Sequence, residues 1–191
     1  MLYKIIKNIF RVYFLLFNKI TIKGSENIPK SGGIIICPNH IHWLDPVLIG
    51  TFIKREITYM AKAELFEIKI VSLALKGIHA FPVKRGTPDL SAIKNAFRSV
   101  KQGKALGIFP EGTRSTDGML LPAESGVALI AIKTNAPVIP IRIAGSYKIF
   151  RNITITIGKP VIFDNYKDKK LSSEEINDAS QLIMMEIQKL G

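Results

Sequence analysis

A chain of 191 residues with 47% hydrophobic and 22% charged residues fits one globular domain with a substantial core. Its 27 Lys and Arg against 15 Asp and Glu give a formal net charge of +12, which favours an anionic partner such as nucleic acid, an anionic lipid surface or a phosphorylated substrate. The basic residues are spread out and form no dense cluster with interleaved aromatics, so we do not expect nucleic acid as the partner. Cys37 is the only cysteine, which excludes an internal disulfide.

The first twenty residues combine a basic start with an apolar centre. No small-residue cleavage site follows, so a signal peptide is not expected. Cations also interrupt the run of about 20 apolar residues that a spanning helix needs. We predict an amphipathic helix over residues 1–20 that lies in a membrane interface, with its cations toward anionic headgroups. The alternative is a helix packed on the domain's own core. On a helical wheel one narrow polar stripe is formed by Lys4, Lys7, Asn8, Arg11 and Asn18.

The remainder, residues 21–191, alternates short apolar runs with amphipathic segments and shows no linker that would split it. This pattern predicts one α/β domain with a mixed sheet flanked by helices. Strands are predicted at 33–37, 57–61, 78–83, 105–109, 138–143 and 153–157. Helices are predicted at 46–54, 67–76, 88–102, 126–134 and 173–190.

The segment 39–46 places an imidazole and a carboxylate five positions apart, after the buried run Ile34 to Cys37. Asp45 followed by Pro46 indicates a helix start, with Asp45 at the N-cap. Such a pair can act as a general base, His40, and the carboxylate that orients it. The alternative is two unrelated surface groups. Cys37 ends an Ile-rich run, and we expect it to be a small buried hydrophobe rather than a nucleophile.

Two further segments carry charge at strand ends. Residues 109–115 follow a predicted strand and combine a glycine, two hydroxyls and a guanidinium, which suits an anion cradle as well as an ordinary surface turn. Lys84 and Arg85 follow another predicted strand and could contact the same anion. A purely apolar segment, 138–141, predicts only a strand or a pocket wall.

These four segments, in this order and spacing, resemble the glycerolipid acyltransferases typified by the lysophosphatidic acid acyltransferases. The asparagine-histidine, four residues, aspartate block of that family matches Asn39, His40 and Asp45. Its arginine block matches Arg85 with Phe81, and its apolar block around a proline matches 138–141. Its phenylalanine-proline-glutamate-glycine-threonine-arginine-serine block matches 109–115 without a mismatch. The resemblance covers roughly residues 20–160.

The resemblance implies transfer of a fatty acyl group from acyl-CoA or acyl carrier protein to the free hydroxyl of 1-acylglycerol 3-phosphate, giving phosphatidic acid. It implies His40 as the general base and Asp45 as its orienting partner. It implies no metal and no cofactor beyond the donor, and a peripheral or monotopic place on the cytoplasmic face of a membrane. The acceptor's phosphate would be held by Arg85, Glu111, Gly112, Thr113 and Arg114.

The chain departs from the family at Glu124, where members often carry a lysine two residues before a helix-opening glycine, here Gly126. A lost cation there could weaken phosphate binding or change the acceptor. His42 occupies a variable position of the first block, so we expect it to line the pocket rather than act as the base. One rival hypothesis is the same chemistry on another acceptor, such as glycerol 3-phosphate or a lyso-aminolipid. The other is a non-catalytic basic protein that binds membrane surfaces or nucleic acid through its charge alone.

Overall fold

The structure is a computed structural model that describes residues 2–84, 89–166 and 169–191. In these ranges seven strands form one sheet in the order β1-β7-β6-β2-β5-β3-β4, and six α-helices cover its faces. Strands β2 to β6 run parallel, whereas β7 is antiparallel to β6 and β1 is parallel to β7. The predicted mixed α/β sheet is confirmed. The strands are β1 Asn18–Lys23, β2 Ile34–Pro38, β3 Ile57–Lys62, β4 Phe81–Val83, β5 Ala105–Gly107, β6 Val138–Gly145 and β7 Arg151–Ile157. The helices are α1 Leu2–Phe17, α2 Asp45–Phe52, α3 Lys69–Gly77, α4 Leu90–Lys101, α5 Gly126–Thr134 and α6 Ser173–Gln188.

The sheet has a core on each face. Alternate residues of the central strands point to opposite sides, as the period of two in a strand requires. Ile34 and Ile36 of β2 pack with α1 and α2, while Ile35 and Cys37 pack with α4, α5 and α6. The central strands are therefore apolar on both faces, as expected of a parallel sheet covered by helices.

Two helices begin at residues whose side chains cap them. Ser172 and Glu175 form a capping box at the start of α6, in which each side chain accepts the backbone N–H of the other residue. Asp89 caps α4 by accepting the N–H groups of Ser91 and Ala92. The predicted start of that helix at residue 88 lies outside the described residues.

Two stretches differ from the prediction. Residues 78–80 do not belong to β4; they end α3, where His79 takes a φ of 61° and the backbone N–H groups of residues 78–80 bond back to the last turn of that helix. Helix α1 stops at Phe17 rather than at residue 20, because Asn18 begins the unpredicted strand β1. The buried Asn18 amide donates to the carbonyl oxygens of Lys148 and Arg151 at 3.1 and 3.5 Å, which fixes β1 beside β7.

Helix α1 has one face in the core and another in solvent. Phe14 is fully buried against α2, and the Tyr3 hydroxyl accepts the N–H of Ile57 at 3.1 Å. No helix in the described ranges combines the length and apolar character needed to cross a bilayer. The exposed apolar residues of the helix are Leu2, Ile5, Ile9, Val12, Leu15 and Leu16.

Replacing Phe14 by Ala should lower the free energy of unfolding by about 3–5 kcal/mol, since it removes a fully buried aromatic ring from the core. The matched control is Leu16→Ala on the same helix, where the side chain is 64% exposed and a change within about 0.5 kcal/mol is expected. Urea denaturation of both variants measures the difference. Equal losses would show that α1 is not docked through Phe14.

Candidate active site

The site lies where neighbouring parallel strands end. β2 lies between β5 and β6, and residues 39–45 follow β2 while residues 108–115 follow β5. The carboxyl ends of parallel strands share one edge of the sheet, so these two loops meet there. The sequence motifs that looked separate therefore form one site.

His40 and Asp45 are paired as predicted. The Nδ1 atom of His40 lies 2.8 Å from Oδ2 of Asp45, and Asp45 is fully buried. A carboxylate acceptor at this distance holds the proton on Nδ1, which leaves Nε2 as the basic nitrogen. No hydrogen bond to Nε2 occurs within the described part of the chain. The His40 ring also stacks on Phe109, with ring centroids 4.0 Å apart, so its plane is fixed.

Asp45 does not cap α2 as the sequence suggested. It is the first residue of the helix, and Leu44 at the cap position makes no side-chain bond. The Asp45 carboxylate turns back instead, and Oδ2 accepts the backbone N–H groups of Ile41 and His42, both at 2.7 Å. The Tyr147 hydroxyl donates to Oδ1 at 2.5 Å. With His40 this makes four donors, so the carboxylate organises the whole loop.

The backbone of His40 is fixed by the second motif. Its N–H donates to Oε1 of Glu111 at 2.9 Å, and its carbonyl accepts the N–H of Ser115 at 2.8 Å. The other Glu111 oxygen accepts the N–H of Leu121 at 3.3 Å. Burial raises the pKa of the Glu111 carboxyl, although these backbone donors act in the opposite direction. The buried Glu111 thus holds His40 in place, which differs from the phosphate contact that the resemblance implies.

The middle of this loop faces outward. Gly112 has a φ of 66°, a conformation that favours glycine, and a Cβ there would come within 3.0 Å of the Glu124 side chain. Thr113 and Arg114 are exposed, and no hydrogen bond or ion pair involves the Arg114 guanidinium within the described ranges. Arg85, the other predicted cation, lies outside the described residues.

His42 lines the pocket, as expected. Its ring stacks on Tyr147 with centroids 4.2 Å apart, and it borders a cavity of about 370 Å³ beside the loop 115–118. Burial lowers the pKa of His42, the charge of Asp45 raises it, and the nearby charges of Arg114 and His40 lower it further.

Cys37 is fully buried, and burial raises the pKa of its thiol, so its predicted role as a buried hydrophobe is confirmed. Across residues 2–84, 89–166 and 169–191, no group of three or more His, Cys, Asp or Glu side chains could hold a metal ion.

Sequence reasoning missed Tyr147. It lies 102 residues from Asp45, and nothing in its neighbours marks a catalytic role. Burial and the charge of Asp45 both raise the pKa of its hydroxyl, which therefore remains a donor. Asn39 was quoted only as part of the motif, yet its buried amide bonds both the N–H and the C=O of Ile143, at 2.6 and 3.1 Å.

Tyr147→Phe should lower the free energy of unfolding by about 1.5–3 kcal/mol, the usual contribution of a hydrogen bond to a charged group. The ring stack on His42 is retained, so only the bond to Asp45 is lost. Turnover should fall as well, because Asp45 loses one of its fixed contacts. Urea denaturation and steady-state kinetics measure the two effects. Tyr166→Phe, a change outside the site, is the control.

Comparisons with known proteins agree with this geometry. The family model described as Acyltransferase matches residues 19–144. A 1-acyl-sn-glycerol-3-phosphate acyltransferase of Bacillus subtilis is 34% identical over 84% of this chain and 82% of its own length. The enzyme of the same name from Borreliella burgdorferi is 32% identical over 75% of this chain, but that match covers only 58% of the relative.

A solved structure shares the fold. The crystal structure of the 1-acyl-sn-glycerophosphate acyltransferase PlsC from Thermotoga maritima is 29% identical, with a TM-score of 0.77. The match covers 98% of this chain and 79% of that one. The present chain belongs to the acyltransferase family and is an acyltransferase.

Proposed function

We propose that this protein transfers a fatty acyl group from a thioester to the free hydroxyl of 1-acyl-sn-glycerol 3-phosphate, giving phosphatidic acid and a free thiol. The observation that carries the proposal is the double attachment of His40. Its side chain is bonded to Asp45, and its backbone is bonded at both N–H and C=O to the loop that presents Arg114. The segment that carries the proposed base is thus bonded to the segment that carries an exposed cation. The choice of acceptor is supported by the names of the relatives, which are acyltransferases of 1-acyl-sn-glycerol 3-phosphate.

The reaction follows from the free Nε2 of His40. That nitrogen takes the proton of the acceptor hydroxyl as the oxygen attacks the thioester carbonyl. The tetrahedral intermediate then collapses, the C–S bond breaks, and the imidazolium returns the proton to the leaving sulfur. Asp45 stabilises the imidazolium while it exists.

The phosphate of the acceptor is assigned to the outward part of the loop, residues 112–114. Arg114 can bind it through two parallel hydrogen bonds, and Thr113 offers a hydroxyl. Glu111 supports this loop rather than binding the phosphate, since both its oxygens already accept backbone N–H groups. Arg85 stays a proposed second cation.

Another acceptor is a second candidate, and Glu124 favours it. This exposed acidic side chain packs against Gly112, so its charge opposes a phosphate dianion bound on that loop. A headgroup of lower negative charge would meet less repulsion.

The donor is proposed to be acyl-CoA or acyl carrier protein.

We also propose that the protein works on an anionic membrane surface, on its cytoplasmic face. The exposed apolar residues of α1 continue onto α3, because Gly77 lies close to the side chains of Leu2 and Ile6. Ile70, on α3, is 84% exposed. At the other end of α1 the N–H of Phe150 donates to the carbonyl of Phe17, and Phe150 is 79% exposed. Exposed apolar side chains on several neighbouring elements are typical of interfacial proteins.

Acyl transfer should be lost in His40→Asn, which can still donate an N–H toward Asp45 but lacks a base. We expect turnover to fall by about 10² to 10⁴. The matched control is His79→Asn, at a 54% exposed side chain outside the site, and it should stay close to wild type. Purified enzymes are incubated with a panel of lyso-acceptors and both thioester donors, and lipid products are resolved by mass. Wild-type turnover in His40→Asn would remove His40 from the mechanism, and acylation only of other acceptors would favour the second candidate.

Membrane binding should be lost in a double variant, Ile9→Glu with Leu16→Glu, because two exposed apolar side chains of α1 become anionic. We expect binding to phosphatidylglycerol vesicles to weaken at least tenfold, since burying one such side chain contributes about 1.5–3 kcal/mol. The control is Leu182→Glu with Met185→Glu on the outer face of α6, across the sheet. Equal sedimentation of the two variants would show that α1 does not contact the membrane.

A further inference from the structure

Arg142 is an unusual residue for the inner strand on which it lies. The strand β6 pairs with β2 and β7, and Arg142 alternates with the buried Ile141 and Ile143. Its Nε and Nη1 atoms are buried and have no hydrogen-bond partner. Buried polar groups are nearly always bonded, and a guanidinium is costly to bury unpaired. An orphaned pair of donors on a central strand therefore indicates that a ligand supplies the missing acceptors.

Arg142 borders the cavity of about 370 Å³ next to the catalytic loop. Ligand sites typically measure about 300–1,000 Å³, so the space suits a small headgroup. Among the described residues none of those that line it is acidic. Hydroxyl groups and glycine backbone suit a phosphate. The hydroxyl-bearing and glycine residues that line the cavity are Ser115, Thr116, Gly118 and Ser146.

The cavity adjoins the catalytic pair. His42 and Tyr147 form its wall, and Tyr147 donates to Asp45. Ser115, on the opposite wall, donates its N–H to the carbonyl of His40. A group bound to Arg142 would therefore be separated from the His40–Asp45 pair only by residues that contact that pair directly.

Nearby carboxylates do not neutralise Arg142. Glu111 is close enough for the charge of Arg142 to lower its pKa slightly against the larger effect of burial, but both its oxygens accept backbone N–H groups. Asp117 accepts the Ser115 hydroxyl and the N–H of Met119. No ion pair joins Arg142 to an acidic group of the described chain. Its stem packs against Gly191, so the side chain is supported without being paired.

We propose that this cavity, which is bordered by the end of the Arg114 loop, is a second phosphate-binding subsite of the enzyme, in which Arg142 binds a phosphate group of a substrate. The assignment rests on the proposed function for the identity of the substrates, and the phosphate belongs either to the acceptor or to a coenzyme A donor. The open Nε and Nη1 donors lie on different edges of the Arg142 guanidinium, and each edge can donate to a phosphate oxygen.

The test compares Arg142→Gln and Arg142→Lys with Arg98→Gln, an exposed arginine on α4 outside the site. A further variant, Ser146→Asp, places a carboxylate in the cavity without altering Arg142. KM is measured separately for lysophosphatidic acid, for phosphate-free monoacylglycerol, for acyl-CoA and for the acyl thioester of phosphate-free pantetheine. Binding of inorganic phosphate to each protein is measured by calorimetry.

We expect Arg142→Gln and Ser146→Asp to raise KM about ten- to a hundredfold for one phosphorylated substrate and to leave its phosphate-free counterpart unchanged. The substrate affected identifies the source of the phosphate. Arg142→Lys should recover part of the loss, and Arg98→Gln should behave as wild type. Unchanged KM values and unchanged phosphate binding in both cavity variants would overturn the subsite. A wild-type protein inactive on every acceptor would refute the proposed function, while phosphate binding lost in Arg142→Gln would still support the subsite.

Discussion

The site depends on the carboxylate of Asp45. A single fully buried side chain accepts from the His40 ring, from two backbone N–H groups of the same loop, and from Tyr147 on the far side of β6. Each donor would be costly to leave unpaired in a buried place, so the four contacts restrict one another. The imidazole is therefore oriented by the end of β2, the start of α2 and the turn after β6 together. Losing any of these elements would leave the base without a defined direction.

Acidic and basic groups have different tasks around this centre. Asp45 and Glu111, the two buried carboxylates among the described residues, accept hydrogen bonds from donors of the protein itself. Arg114 and Arg142 have no such partners within the described chain. The acids thus build the loop structure, and the guanidinium groups remain open for anions. This division gives a net positive site without a dense basic cluster, which agrees with a charge of +12 spread along the chain.

Local signals predicted local structure. The capping box at Ser172 and the cap at Asp89 are short-range bonds between neighbours, and they begin helices that the sequence predicted at 173–190 and 88–102. The parallel strands were readable because both of their faces are apolar. Strand β1 was missed because residues 18–23 alternate polar and apolar side chains directly after an amphipathic helix, so the change of period from 3.6 to 2 went unnoticed.

Contacts between residues far apart in the chain could not be predicted from local sequence patterns. Asp45 followed by Pro46 is a sequence typical of a helix cap. In the structure the Asp45 oxygens accept the N–H groups of its own loop and the Tyr147 hydroxyl instead of capping α2. Tyr147 and Arg142 carry no local motif; only the pairing of β6 with β2 brings them to the site. The motifs located the chemistry, while the sheet order decided which further side chains surround it.

Helix α1 can both pack on the domain's core and present an apolar face to a membrane interface, so the two interpretations of residues 1–20 are compatible. A polar stripe that is narrow leaves most of the helix circumference apolar, which is more than one packing surface can cover. Tyr3 and Phe14 meet the core, and Lys7 donates from the stripe to the carbonyl of Ile53 at 2.5 Å. The cation nearest the domain is therefore satisfied by the protein, while Ile9 and its neighbours remain open to solvent.

Because the same helix leads through Phe17 into β1 and meets Phe150 beside the β6–β7 turn, a bilayer bound on its outer face would lie near the turn that carries Tyr147. The proposed lipid acceptor would then need to move only a short distance from the membrane to His40.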